Sequence, residues 1–253
     1  MQRIARLVRT VSFRPRPHTA AVILAGGVGS RMENADGIAK QWLEIGGQSV
    51  LARTVAAFEA CPHIDEIVVV VRRGEGQSAA AVLRGMGTHK VRAVVSGGKT
   101  RQQSAYRGAR HVSGETRYIA IHDAARPFVS PEDISAVVTM AYSEKAASLG
   151  LPVTDTVKRV DGRGYVVETK SRDELWLAAT PQVFSYPMYL SAAVSAIKAG
   201  RTVTDDNMLM EQIGQRVRMV AAKSEVLKIT TPRDLKLAKG LVAYETAKKE
   251  EIK

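Results

Sequence analysis

The residues with the strongest chemical signature are Ala21-Val22-Ile23-Leu24-Ala25-Gly26-Gly27-Val28-Gly29-Ser30-Arg31-Met32, with Lys40 shortly after. The apolar run at their head reads as a buried strand. It empties into glycines, which let backbone N–H groups approach a ligand closely, and then into an arginine, whose forked charge suits phosphate. The first strand is therefore expected to end in a phosphate-handling loop, with Lys40 as a second cation. The loop departs from the two commonest glycine motifs. The dinucleotide fingerprint needs a glycine where Met32 stands. Gly98-Lys99-Thr100 matches the end of a P-loop, but Ala93 occupies the place of that motif's first glycine, and Val91 to Val95 reads as strand.

Four further clusters are expected at strand ends, where ligands bind in open parallel sheets. Gly97-Gly98-Lys99-Thr100-Arg101-Gln102-Gln103-Ser104 follows a strand and opens a helix, so that its N–H groups and Ser104 can face a ligand. Ile121-His122-Asp123-Ala124-Ala125-Arg126-Pro127 offers Asp123 for a hydroxyl or a metal and Arg126 for a phosphate. Thr180-Pro181-Gln182 follows Arg172 and Trp176, and Lys228 lies in an apolar stretch, 226–229, that reads as strand. Each has a plainer reading. Asp123 and Arg126 can form a local salt bridge, Ser104 can cap, His122 can pack, and Lys99 and Lys228 can point to solvent. Together, Arg31, Lys40, Arg101, Arg126 and Lys228 at strand ends are hard to assign to decoration.

The elements that must position these groups alternate. Helical spacing covers 49–60, 77–86, 101–111, 130–144, a stretch from Ser185 to near Gly200, one from Thr204-Asp205-Asp206 to Gly214, and one from Thr231-Pro232 onward. Strand runs cover 64–72, 91–95, 118–121, 217–221 and 226–229. Ser130-Pro131-Glu132-Asp133 is a strong helix start. This alternation implies an α/β fold with a mostly parallel sheet covered on both faces. The pattern breaks at about 155–170. Thr156–Val160 and Tyr165–Thr169, joined by Asp161-Gly162-Arg163-Gly164, read as a hairpin too polar for a core. An isolated hairpin is marginal in water, so a protruding arm points to a dimer.

At 253 residues the chain can hold one large α/β domain, expected over 19–253, after a basic extension at 1–18. One cysteine excludes an internal disulfide or a multi-cysteine zinc site and fits a reducing cytoplasm. The longest aliphatic run, Ile67 to Val71, is too short to cross a bilayer. The net charge is +12, of which Arg3, Arg6, Arg9, Arg14 and Arg16 place +5 in the extension. Without a zinc finger or aromatic stacking motif, the excess points to small anionic substrates rather than nucleic acid. The extension reads as a frayed basic segment ending at Pro15 and Pro17, or as a short interfacial helix with Ile4, Leu7, Val8 and Val11 on one face.

Taken in order, the motifs are Ala-Gly-Gly-x-Gly-x-Arg-Met, Lys-Gln, Gly-Gly-x-x-Arg-x-x-Ser, His-Asp-Ala-Ala-Arg-Pro, Asp-Thr-Val-Lys, Thr-Pro-Gln, Thr-Asp-Asp and Leu-Lys-Ile-Thr-x-Pro-x-Asp-Leu. This series resembles the 2-C-methyl-D-erythritol 4-phosphate cytidylyltransferase family over roughly residues 20 to 245. A sister family, the ribitol-5-phosphate cytidylyltransferases, shares most of it. The resemblance implies a Rossmann-like nucleotidyltransferase domain, a hairpin arm that builds a homodimer, and Mg²⁺-dependent transfer of CMP from CTP to a polyol phosphate. It implies that Arg31, Lys40 and Lys228 contact the triphosphate as the catalytic cations. Ala25, Gly26, Gly27, Gly29, Gly97, Gly98, Arg101 and Ser104 hold the nucleotide, with Ser104 and its glycines at the cytosine. Asp123 is placed with the nucleotide as well as with the acceptor. Arg126, Thr156, Thr180 and, from the partner's arm region, Arg172 handle the polyol phosphate. No protein ligand of the metal is implied; it comes with the CTP phosphates.

The chain departs from that family in places. Ala39 stands where proline usually precedes the lysine, and the stretch from Arg31 to Lys40 is slightly long. Ala25-Gly26-Gly27 is closer to the ribitol enzymes, whereas His122 to Arg126 and Leu175-Trp176 lean to the methylerythritol enzymes. From the residues alone, two other classes remain. A non-catalytic nucleotide-binding protein keeps the glycine loops but has no need of Lys40 and Lys228 at one phosphorus. A glycosyltransferase of related fold wants an Asp-x-Asp metal motif, which is not evident at Asp123.

Overall fold

Thr19–Leu24 (β1) is buried along its whole length, because parallel strands lie on both sides of it and helices cover both faces. The computed structural model describes residues 16–27 and 39–251. After β1 come a small hairpin, Glu44–Ile45 (β2) and Gln48–Ser49 (β3), then Val50–Ala60 (α1), Glu66–Val71 (β4), Gly76–Gly85 (α2), Val91–Ser96 (β5), Arg101–Ala109 (α3) and Tyr118–Asp123 (β6). The second half holds Pro131–Glu144 (α4), Ala146–Pro152 (β7), Lys158–Val160 (β8), Val166–Thr169 (β9), Trp176–Ser185 (β10), Tyr186–Lys198 (α5), Asn207–Gln212 (α6), Arg218–Ala221 (β11) and Pro232–Glu251 (α7).

The main sheet runs β11-β7-β10-β6-β1-β4-β5. Every pairing in it is parallel except those of β10, which is antiparallel to both β6 and β7. The expected mostly parallel α/β sheet is therefore present. Successive side chains of a strand face opposite sides. Ala21 and Ile23 accordingly join Leu51, Val55, Phe58 and Val137 on one face. Val22 and Leu24 join Ala105, Ala109, Tyr189 and Ala193 on the other. Gly108 of α3 sits against Val22 and Val70 so closely that a side chain there would collide with them.

Four local readings change. β7 and β10 are strands that the sequence did not announce. β7 is rich in small residues, and β10 carries Pro181, which argues against a central strand. The proline is tolerated because the pairing of β10 with β7 shifts register between Ala178 and Gln182. Thr180-Pro181-Gln182 thus lies inside a strand, not at a strand end. The stretch 226–229 is not a strand. Its hydrogen bonds go to the loop after β6: Ile229 N donates to Ala125 O, and Arg126 reaches Val226 O. Its ends, Val226 and Ile229, are buried because it closes over that loop and, through Ile229, joins Phe128, Ala238 and Val242 in a small separate core. The turn of the β2–β3 hairpin was also unread. Gly46 and Gly47 have φ of +59° and +75°, the left-handed pair that a tight hairpin wants. A side chain on Gly46 would also run into Val242 of α7.

The arm is present as β8 and β9, paired antiparallel outside the main sheet. Val160, Tyr165, Val166 and Val167 are exposed on it. The readings made for residues 1–15 lie outside the described residues. Residues 16–18 are tied to the domain: Arg16 pairs with Asp65 at 2.6 Å, and Tyr142 donates to Pro17 O.

Candidate active site

β1 and β6 end side by side, with Leu24 opposite Asp123. Beyond β1, Ala25 N still reaches Val70 O at 2.7 Å, and the chain then continues through Gly26 and Gly27. Gly29 and Arg31, to which nucleotide and triphosphate contacts were assigned, lie outside the described residues. Lys40 opens a short turn, Lys40–Trp42, anchored by Gln41 and Trp42 on Glu75. Its side chain runs along Gly27, whose missing Cβ would stand 3.4 Å from Lys40 Cε.

On the other side, Thr100 caps α3 by accepting from Gln103 N. Ser104 Oγ accepts from Gly98 N at 3.0 Å and donates to Thr100 O at 2.9 Å, which fixes the glycine turn. A Cβ on Gly97 would stand 2.8 Å from that hydroxyl, so the turn needs glycine. Arg101, the first residue of α3, donates from Nε to Asp123 at 3.0 Å and from Nη1 to Asp206 at 2.6 Å. Its Nη2 has no acceptor among the described residues. Lys228 Nζ meets the other Asp123 oxygen at 2.7 Å. A cleft of about 220 Å³ opens among Gly26, Gly27, Lys40, Gly98 to Arg101, Ser104, Asp123 and Lys228.

The electrostatics follow from this crowding. Burial alone would favour a neutral Asp123. Arg101 and Lys228 override it and hold the carboxyl far below the usual range. Burial likewise opposes the Arg101 charge, and Asp206 and Asp123 more than offset it. Behind Asp123 a buried chain of donors has a single consistent direction. Arg126 O can only accept, so His122 Nε2–H donates to it; Nδ1 of the neutral ring is then an acceptor, and the Thr180 hydroxyl, which accepts from Asp123 N–H, donates to it. Burial pulls the His122 pKa down to about 3, so the ring is neutral at neutral pH.

The expected site residues therefore fall into groups. Gly26, Gly27, Lys40, Gly98, Arg101, Ser104, Asp123 and Lys228 share one cleft, and Ala25 and Gly97 belong to its loops. Thr180 is buried and supports Asp123 from behind, and Arg126 is held by Val226 O rather than by Asp123. Thr156 and Arg172 are exposed near the arm, where Arg172 donates to Thr154 O at 2.9 Å; they do not line the cleft of their own chain. Asp206 was read as part of a helix start and of the Thr-Asp-Asp motif, with no role in the site. It is fully buried, accepts from Arg101 and from Tyr189 OH at 3.0 Å, and donates its N–H to Gln182 Oε1. The signal was there in Thr204-Asp205-Asp206, where one acid suffices for a cap.

Among the described residues there is no group of three or more His, Cys, Asp or Glu that could hold a metal. Among the described residues Asp123 is the one carboxylate that lines the cleft, and both its oxygens are taken. No helix among them is long and apolar enough to cross a membrane.

A family model described as 2-C-methyl-D-erythritol 4-phosphate cytidylyltransferase matches residues 19–243. Proteins of that name from Desulforamulus reducens and Pelotomaculum thermopropionicum are 42% and 41% identical to the chain, over 88% of it in both cases and over 94% and 93% of their own lengths. Among solved structures, the 4-diphosphocytidyl-2C-methyl-D-erythritol synthase of Anaerococcus prevotii superposes with a TM-score of 0.80 at 27% identity, over 90% of this chain and 96% of its own. The cytidylyltransferase of Thermus thermophilus superposes with a TM-score of 0.72 at 29% identity, over 88% and 98%.

Proposed function

Since the chain belongs to the 2-C-methyl-D-erythritol 4-phosphate cytidylyltransferase family, we propose a role for each part of the cleft in that family's reaction. The enzyme transfers CMP from CTP to 2-C-methyl-D-erythritol 4-phosphate, releasing pyrophosphate and forming the CDP-polyol of isoprenoid-precursor synthesis. The observation that carries the assignment is the convergence of Lys40, Arg101 and Lys228 on one cleft at the carboxyl ends of β1 and β6.

An acceptor phosphate has a second pKa of about 6, so at neutral pH it is already largely a dianion and needs no general base. Its oxygen forms a bond to the α-phosphorus as the bond to the bridging oxygen of pyrophosphate breaks. The barrier lies in bringing anion to anion, and positioned cations lower it. Lys40, Lys228 and Arg31 take the triphosphate. Lys228 does so by exchanging Asp123 for phosphate oxygen, while Arg101 continues to hold Asp123. Gly26, Gly27, Gly97, Gly98 and Ser104 enclose the nucleotide, and Arg101 Nη2, which has no acceptor among the described residues, supplies a donor to it.

Mg²⁺ fits this donor set as an ion carried in on the triphosphate, since Asp123 is engaged on both oxygens and Mg²⁺ favours phosphate and water ligands. When bound it neutralises phosphate charge. The exposed apolar residues of the arm, together with Leu177 of β10, support a homodimer in which Arg172 and Thr156 serve the partner's acceptor site. The buried, unpaired Cys61 fits a reducing cytoplasm.

The test is pyrophosphate release from CTP and Mg²⁺ with 2-C-methyl-D-erythritol 4-phosphate and ribitol 5-phosphate in parallel arms. Release with the first acceptor and formation of its CDP-polyol are expected. Release without acceptor dependence, a preference for ribitol 5-phosphate, or none with either would overturn the reading.

A further inference from the structure

The outer face of α3 carries a second basic surface that the chemistry above does not use. Gln103, Tyr106, Arg107 and Arg110 recur at helical spacing on the side away from the buried Ser104, Ala105, Gly108 and Ala109. With Lys99 and His111 they line a groove of about 690 Å³ that no carboxylate of the described residues lines. Among the described residues, Lys99, Arg107 and Arg110 have no ion pair. Lys99 belongs to this groove and to the nucleotide cleft alike. The two spaces therefore adjoin at one cation, and α3, rising ~1.5 Å per residue, carries the charge ~14 Å outward from Arg101 to Arg110.

A groove lined by one sign of charge concentrates counter-charged ligand and raises its association rate. We infer that this groove is the approach track of the triphosphate: Arg110, Arg107 and Lys99 capture the polyanion outside the cleft and pass it inward at Lys99. The inference rests on CTP being the substrate. Arg107 has a further duty, because its Nη1 holds Gly97 O at 2.8 Å and so supports the cleft loop. Arg110 has no side-chain hydrogen bond among those of the described residues, so its charge can be changed with little risk to the fold.

The experiment measures the association rate constant of a fluorescent CTP analogue by stopped flow in the full chain, Arg110→Gln and Arg110→Glu. It is run at salt concentrations from ~10 mM, where the Debye length is ~30 Å, to ~1 M, where it is ~3 Å. Arg84→Glu, on α2 and outside the groove, makes the same change in net charge as Arg110→Glu. Expected at low salt is a stepwise fall of ~2- to 5-fold per unit of charge at position 110, vanishing at high salt, with Arg84→Glu falling by less than half as much. Equal slowing in Arg84→Glu would make net charge the cause and overturn the track. So would an unchanged association rate, or a loss seen in kcat instead of association. A thermal melt on each variant confirms folding. Wild-type protein that turns over CTP with no effect at position 110 rejects the track alone, whereas wild-type protein that fails to bind the CTP analogue or turn over CTP rejects the function on which it rests.

Discussion

Asp123 gives one oxygen to Arg101 and the other to Lys228, so the lysine proposed for the triphosphate is held on a carboxylate in the structure. If Lys228 neutralises charge that develops only in the transition state, Lys228→Ala lowers kcat by ~10²-fold or more. A loss confined to KM in steady-state kinetics would instead show uniform ground-state binding. His122 makes a different prediction. Burial holds its pKa at about 3 against an ordinary 6.5. Between those values the unfolded chain binds the proton and the folded chain does not. Stability contributed by the neutral ring is thus full above pH 6.5 and falls on acidification, by ~1.4 kcal/mol per pH unit, down to about pH 3. His122→Asn keeps an acceptor for Thr180 but removes the titration. Urea midpoints from pH 7 to 4 should fall less steeply in the variant than in the wild type, and identical slopes would sink the assignment.

At the scale of elements, the site groups stand at the carboxyl ends of three parallel strands: Gly26 and Gly27 after β1, Gly97 and Gly98 after β5, and Asp123 as the last residue of β6. α3 contributes Arg101 from its first turn, and β10 contributes Thr180 from its interior. The hairpin β8–β9 shares no ladder with the main sheet and leaves Tyr165 68% and Val166 60% exposed, more apolar surface than a lone two-stranded ribbon sustains. If the arm pairs with a second arm and delivers Arg172 to the neighbouring cleft, complementation follows. Arg172→Ala subunits mixed with Lys228→Ala subunits regain turnover, because each heterodimer holds one site with both residues intact. Verified subunit exchange without recovery would place Arg172 in its own chain.

For the molecule as a whole, the excess of positive charge is split between the first residues and the body, and the domain holds the chain from Arg16 onward. Arg16 pairs with Asp65, whose carboxyl burial would raise but the Arg16 hydrogen bond lowers below its usual range. His18 O accepts from the backbone of Arg117 and Tyr118. Removal of residues 1–15 is expected to leave turnover and the thermal midpoint in place, whereas removal of 1–18 strips these ties from the edge of β1 and lowers the midpoint. Differential scanning calorimetry on the two truncations separates the outcomes, and equal midpoints would show that the ties contribute nothing.

The sequence by itself determined what local chemistry can write. Apolar runs set β1, β4 and β6. Ser130-Pro131 set the start of α4, and Asp161 to Gly164 set the turn of the arm. The glycines beside Lys40, Arg101 and Ser104 announced an anion-handling edge. It did not determine that Pro181 lies inside a strand, because the tolerance for that proline comes from a register shift against β7. Nor did it determine that 226–229 is not a strand, because its hydrogen-bond partners are around 100 residues away in the chain. Only the tertiary structure decided that one carboxylate, Asp123, takes Arg101 from a helix and Lys228 from a loop, and that a buried Asp206 holds the other end of Arg101. Those choices depend on which distant groups share a low-dielectric space, where an ionised group is tolerated only when paired, and residue spacing carries no record of that.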